Sequence, residues 1–143
     1  MGGLEKAPLV RCYPDDDGLS MLLTAGWNNL QHLCLDDNSL GSSSMVLLSE
    51  GCWPYLTRLS LRFNYIGSAG TTALVKGTWP LLDALDVEHN DIGAPGCVAL
   101  SKSTWQNLDF LNISNNPLGN TGVEHLMKAG WPLLSPCACK QLG

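Results

Sequence analysis

Charge is scarce in this chain. Asp, Glu, Lys and Arg make up 15% of its 143 residues, and thirteen acids against eight bases leave a formal charge of −5. Nucleic-acid affinity comes mainly from Lys and Arg displacing phosphate counterions, so an acidic chain with few bases is not expected to bind nucleic acid. Long hydrophobic runs are absent as well. Met45-Val46-Leu47-Leu48 is typical of the longest, whereas a helix that crosses a bilayer needs about 20 apolar residues. No transmembrane span and no membrane partner are expected. Met1-Gly2-Gly3-Leu4-Glu5-Lys6 leads into no apolar stretch of the kind a secretory signal requires, and Lys6 stands where a myristoylation motif wants Ser or Thr. Six cysteines without a secretory signal read as reduced thiols rather than a disulfide framework, so a cytoplasmic location is expected. Apolar residues are not lacking: 45% of the chain is hydrophobic, enough to bury a core, and the length suits a single domain.

What the chain does contain is a repeat. Its five tryptophans, Trp27, Trp53, Trp79, Trp105 and Trp131, each lie 26 residues after the one before. With Trp as position one, Leu30, Leu56, Leu82, Leu108 and Leu134 fall at position four, and Leu33, Leu59, Leu85 and Leu111 at position seven. Leu35, Leu61, Val87 and Ile113 follow at position nine, and Asn38, Asn64, Asn90 and Asn116 at position twelve. Leu40, Ile66, Ile92 and Leu118 come two residues later, and the next residue is always glycine: Gly41, Gly67, Gly93, Gly119. Position eighteen holds Gly70, Gly96 and Gly122, with Ser44 in the first full unit, and position twenty-two holds Leu48, Leu74, Leu100 and Leu126.

A period of 20 to 50 residues on a fixed apolar skeleton is the signature of a solenoid, and L-x-x-L-x-L-x-x-N-x-(I/L)-G resembles the leucine-rich-repeat family. The continuation I-G-x-x-G-x-x-x-L is similar to the helix-containing subtypes typified by ribonuclease inhibitor and the Ran GTPase-activating proteins. The 26-residue unit is shorter than the usual inhibitor repeat, and the Trp-Pro opening at Trp53-Pro54, Trp79-Pro80 and Trp131-Pro132 departs from both. The resemblance implies an α/β solenoid: a curved arc with parallel strands on its concave face and helices on its convex face. One domain over residues 1–143 is expected, with full repeats at 27–52, 53–78, 79–104 and 105–130. Residues 1–26 read as a degenerate first repeat with Leu4, Ala7, Leu9, Gly18 and Leu22 in register and Cys12 in the Asn place. Residues 131–143 read as a partial repeat in which Cys137 and Cys139 take the places of core leucines. Terminal repeats need a polar outer face or a cap; neither end offers one, as expected for a segment of a longer array within a receptor, effector or ligase-type protein.

Alternation in Leu59-Ser60-Leu61 and Leu85-Asp86-Val87 has the period of two that marks strands. Pro95, Ser42, Ser68 and Asn120 are suited to helix starts. Asn38, Asn64, Asn90 and Asn116 are read as a structural ladder whose amides satisfy backbone groups that the sheet leaves over. The tryptophans are read as core, bridging a helix end to the next strand.

Positions five, six, eight, ten and eleven are left to face the concave surface, and they differ between repeats: Gln31, His32, Cys34, Asp36, Asp37; Thr57, Arg58, Ser60, Arg62, Phe63; Asp83, Ala84, Asp86, Glu88, His89; Asp109, Phe110, Asn112, Ser114, Asn115. A fixed scaffold under a varied surface is the pattern of a binding module. Asp83, Asp86, Glu88 and Asp109 fall on neighbouring strands about 4.8 Å apart, which predicts an acidic cluster for a basic segment of a protein partner. Arg58 and Arg62 lie one strand away, Phe63 and Phe110 are aromatic candidates for contact hot spots, and His89 and Asn112 complete the candidate site.

Chemistry finds little support. His32 and His89 could be joined by Cys34, Asp36 and Asp86 as metal ligands, but the two histidines lie two repeats apart in different columns, and neither a Cys-x-x-Cys nor a His-x-x-x-His pair occurs, so no metal and no cofactor are expected. No Ser-His-Asp or Cys-His constellation emerges, so the chain is expected not to be an enzyme. The alternative carried by the resemblance to Ran GTPase-activating proteins is an accessory role in GTP hydrolysis, with Arg58 or Arg62 stabilising phosphoryl-transfer charge. Asn112-Ile113-Ser114 matches a glycosylation sequon, but its Asn is assigned to the concave sheet.

Overall fold

Alternation of polar and apolar residues over three-residue stretches, each followed by a glycine and a run with helical spacing, produces one strand and one helix per repeat. The computed structural model describes residues 5–9, 12, 16–134 and 139–140. Within them the order is β1 (Lys6–Pro8), α1 (Asp16–Leu23), β2 (His32–Cys34), α2 (Ser42–Glu50), β3 (Arg58–Ser60), α3 (Gly67–Val75), β4 (Ala84–Asp86), α4 (Ala94–Ser101), β5 (Phe110–Asn112), α5 (Gly119–Met127) and β6 (Cys139–Lys140). The strands form one open parallel sheet in sequence order, and each helix packs on its neighbours in sequence. Parallel strands stand about 4.8 Å apart, whereas packed helices need about 8–10 Å. The helical side of the stack is therefore the longer one, and the sheet becomes the concave face.

The strands begin at position six, one residue before the alternation read from Leu59-Ser60-Leu61. Hydrogen bonding runs past their ends: the Leu61 N–H donates to the Asp86 carbonyl at 2.8 Å and the Phe63 N–H to that of Glu88 at 3.0 Å. Leu33, Leu59, Leu85 and Leu111 in the strands, and Leu48, Leu74, Leu100 and Leu126 in the helices, are buried. A further column, Leu19, Met45, Thr71 and Cys97, is buried at 2% exposure or less. Its mixture of residue types hides it from a reading based on repeated leucine.

Each position-twelve Asn ties its own repeat to the preceding one. The Asn90 amide donates to Leu61 O at 2.7 Å, Glu88 O at 3.1 Å and Val87 O at 3.2 Å, and its oxygen accepts from Ile66 N at 3.4 Å. Asn116 does the same one repeat on, its oxygen accepting from Asn90 N and Ile92 N, both at 2.9 Å. The parallel ladder has turned away at this point, so these side chains satisfy backbone groups that no strand reaches.

Trp53, Trp79, Trp105 and Trp131 are buried, and Trp27, at the first junction, is partly so. The indole N–H of Trp53 donates to Leu48 O and that of Trp79 to Leu74 O, each at 2.9 Å, so both close the end of the helix before them. Their rings stack with centroids 6.0 Å apart and planes 8° from parallel.

At the amino-terminal end, β1 pairs in register with β2, and Ala7 and Leu19 join the core, while Leu4 lies outside the described residues. At the other end the expected frame is corrected. Leu111 pairs with Cys139, not with Cys137 as the 26-residue count requires. A slip of two residues is the smallest that keeps the same faces of a strand aligned, since side chains alternate with a period of two. Cys137 lies outside the described residues.

Candidate binding face

Each short strand turns its middle residue into the core and its outer two toward the concave side. Register then aligns Lys6, His32, Arg58, Ala84 and Phe110 in one row, and Pro8, Cys34, Ser60, Asp86 and Asn112 in a second. All of these but Asn112, together with Asp83 and Asp109, border a concave cleft of about 630 Å³. Ala84 is the smallest side chain in its row and leaves space between Arg58 and Phe110.

The cleft is electrically divided. Lys6, His32 and Arg58 line its end toward β1, and Asp83, Asp86 and Asp109 its end toward β5. Burial pushes the His32 pKa below its ordinary value, and Arg58 and Lys6 push in the same direction. Burial also raises the pKa of Asp83, reinforced by the neighbouring Asp109 carboxylate and opposed by Arg58 and His32. Among the described residues, Lys6, Arg58, Asp83 and Asp109 form no ion pair and no side-chain hydrogen bond. Their charges are open to a ligand.

A second group lies at and just past the carboxyl ends of the strands and is paired internally, although the buried Arg62 Nε makes no hydrogen bond. Arg62 Nη2 stands 2.8 Å from Glu88 Oε2, and its Nε 3.8 Å from Asp86 Oδ2. The Asn112 amide donates to Asp86 Oδ2 at 3.2 Å and Glu88 Oε2 at 3.3 Å, and the Asn115 amide to Glu88 Oε1 at 3.1 Å. The Arg62 guanidinium also lies 5.4 Å from the Phe63 ring centre, and Phe63 lies 5.2 Å from the His89 ring.

The ten candidate residues are thus not one cluster. Arg58, Asp83, Asp86, Asp109 and Phe110 border the cleft, while Arg62, Phe63, Glu88, His89 and Asn112 belong to the network beside it, which Asp86 joins. Arg62, offered above for phosphoryl transfer, is held by Glu88 and Asp86. Asn112, the sequon residue, is 8% exposed and held by the same two acids. Reasoning from sequence left Lys6 and His32 out of the site. His32 was placed on the concave surface but weighed for chemistry only as a metal ligand, and Lys6 sits in the repeat whose skeleton is weakest. The signal was nevertheless present, since counting back one period from Arg58 gives His32 and then Lys6.

Among the described residues no group of three or more His, Cys, Asp or Glu is placed to hold a metal ion. No helix among them is long and apolar enough to cross a membrane. A family model described as leucine-rich repeat matches residues 54–75, 80–101 and 106–127, three successive units at the spacing of the tryptophans. No curated protein matches the chain. Leucine-rich repeats are in general protein–protein interaction modules. With its tryptophan-marked period, asparagine ladder and open parallel sheet under a row of helices, this chain belongs to the leucine-rich-repeat family.

Proposed function

We propose that this chain is a recognition module that holds a segment of a partner protein on its concave sheet face. The observation that carries the reading is the division of labour along the strands. Inward positions repeat leucine to keep the scaffold, whereas outward ones change from repeat to repeat and place charges without internal partners around a cleft. Variation confined to the side that packing does not constrain is how a scaffold is fitted to a ligand. Asp83 and Asp109 suit a basic segment of that partner, steering its approach in a way that salt weakens over a Debye length of about 8 Å.

Selection of displayed random peptides on the purified protein tests this. Selected peptides are expected to lose binding to an Asp83→Lys, Asp109→Lys variant and to keep it with Glu50→Lys, Glu124→Lys, which changes net charge equally on exposed helical positions. Equal losses from both variants reduce the effect to bulk charge and overturn the concave-face reading.

A further inference from the structure

Resting on that reading, we infer that the cleft takes an extended partner segment carrying an acidic and a basic side chain two residues apart, the acid over Arg58 and the base over Asp83 and Asp109. Charge alternation would make the face neutral on average, but the register separates the signs. Lys6, His32 and Arg58 occupy β1 to β3, and the two carboxylates stand immediately ahead of β4 and β5. Arg58 is one strand from Asp83 and two from Asp109, on average about 7 Å at 4.8 Å per strand. An extended chain rises about 3.4 Å per residue and returns to the same face every second residue, so a separation of two residues matches both the span and the facing.

Other ligands fit less well. A free amino acid carries its two charges within a few ångströms and cannot reach both ends. A purely basic segment leaves Arg58 facing a like charge, and a purely acidic one does the same at Asp83 and Asp109. Phe110, in the row with Arg58 and beside Asp109, adds an aromatic face against which a Lys or Arg bound by the acids can lie.

Displayed nine-residue peptides selected on the protein provide the test, read out as the charge pattern of the enriched sequences. The expected result is enrichment of an acid and a base two positions apart in one fixed order. In a variant combining Arg58→Glu with Asp83→Lys and Asp109→Lys, selection should yield the reverse order. Two milder variants stay informative if the triple variant does not fold: Arg58→Ala should erase only the acid preference and Asp109→Ala only the base preference. Each should weaken a selected peptide about fivefold, the scale of one exposed ion pair. Enrichment of basic residues alone, unchanged by Arg58→Ala, overturns this inference while leaving concave-face recognition intact. Binding that no concave substitution alters overturns both. Self-association of the protein that the same substitutions abolish assigns the cleft to a second copy and overturns the peptide assignment.

Discussion

Phe63 shows how one residue can work against the scaffold that carries it. Position eleven adopts a left-handed backbone in all four full repeats, with φ of 57° at Asp37, 54° at Phe63, 55° at His89 and 57° at Asn115. Asp, Asn and His tolerate that region, whereas a bulky side chain there costs roughly 1–2 kcal/mol. Phe63 recovers little of this by burial, being 45% exposed, and its contacts with Arg62 and His89 are of the kind worth about 0.5–1 kcal/mol. Phe63→Asn is therefore expected to raise stability by about 0.5–1 kcal/mol, seen as a higher urea midpoint with an unchanged slope. A lower midpoint shows that the ring contacts outweigh the backbone strain. At Asn90 the balance is reversed. This side chain is fully buried and its amide serves carbonyls of two repeats. Asn90→Ala leaves several of these groups without a partner, each unmet bond costing about 1–3 kcal/mol. A loss of at least about 2 kcal/mol is expected in the same titration, and a loss below 1 kcal/mol shows that water replaces the amide.

Between neighbouring helices the contact depends on glycine. A Cβ built at Gly96 falls 2.6 Å from Ile92 Cγ2 and 3.3 Å from Ser68 Cα, the second belonging to the helix of the preceding repeat. Alanine is the better helix former by about 1 kcal/mol, but overpacking commonly costs about 1–3 kcal/mol. With backbone as one of the obstacles, Gly96→Ala is expected to lower the thermal midpoint, and a rise shows that the stack relaxes without strain. Much of this layer was legible in the sequence. The strands, the helices, the asparagine ladder and the packing of the tryptophans follow from residues that recur in type as well as in place. Less was legible where only the place recurs. The buried column of Leu19, Met45, Thr71 and Cys97 shares little beyond fitting between a helix and the sheet, so no single residue type marks it. The pairing of β6 depends on chain length near the end of the repeat, which the 26-residue count does not hold.

Across the whole molecule, the sheet turns a sequence order into a spatial order of charge. Which positions face outward was legible from the period, and that placed Arg58, Asp83, Asp109 and Phe110 on one face. Arg62 and Glu88 share position ten of successive repeats, so the period sets them side by side, but which charges remain open was not legible, because it depends on how the Arg62 side chain also reaches Asp86 two positions away. The open Asp83 carboxylate carries a stability cost that can be measured. Burial and the Asp109 carboxylate raise the folded-state pKa of Asp83 above its ordinary value of 3.8. The folded protein then holds this proton more tightly than the unfolded chain does, so stability falls as pH rises through the interval between the two values. Above the folded pKa the full cost of the ionised carboxylate is present, and below 3.8 it is absent because both states are protonated. Asp83→Asn removes the titration altogether. It is therefore expected to raise the thermal midpoint at pH 7, with the gain over the parent shrinking as the pH is lowered below the folded pKa. Its binding of selected peptides should weaken under the conditions where its stability gain is largest. A lower midpoint at pH 7 shows instead that attraction to Arg58 outweighs burial and repulsion, making Asp83 part of the scaffold rather than a charge held open for a partner.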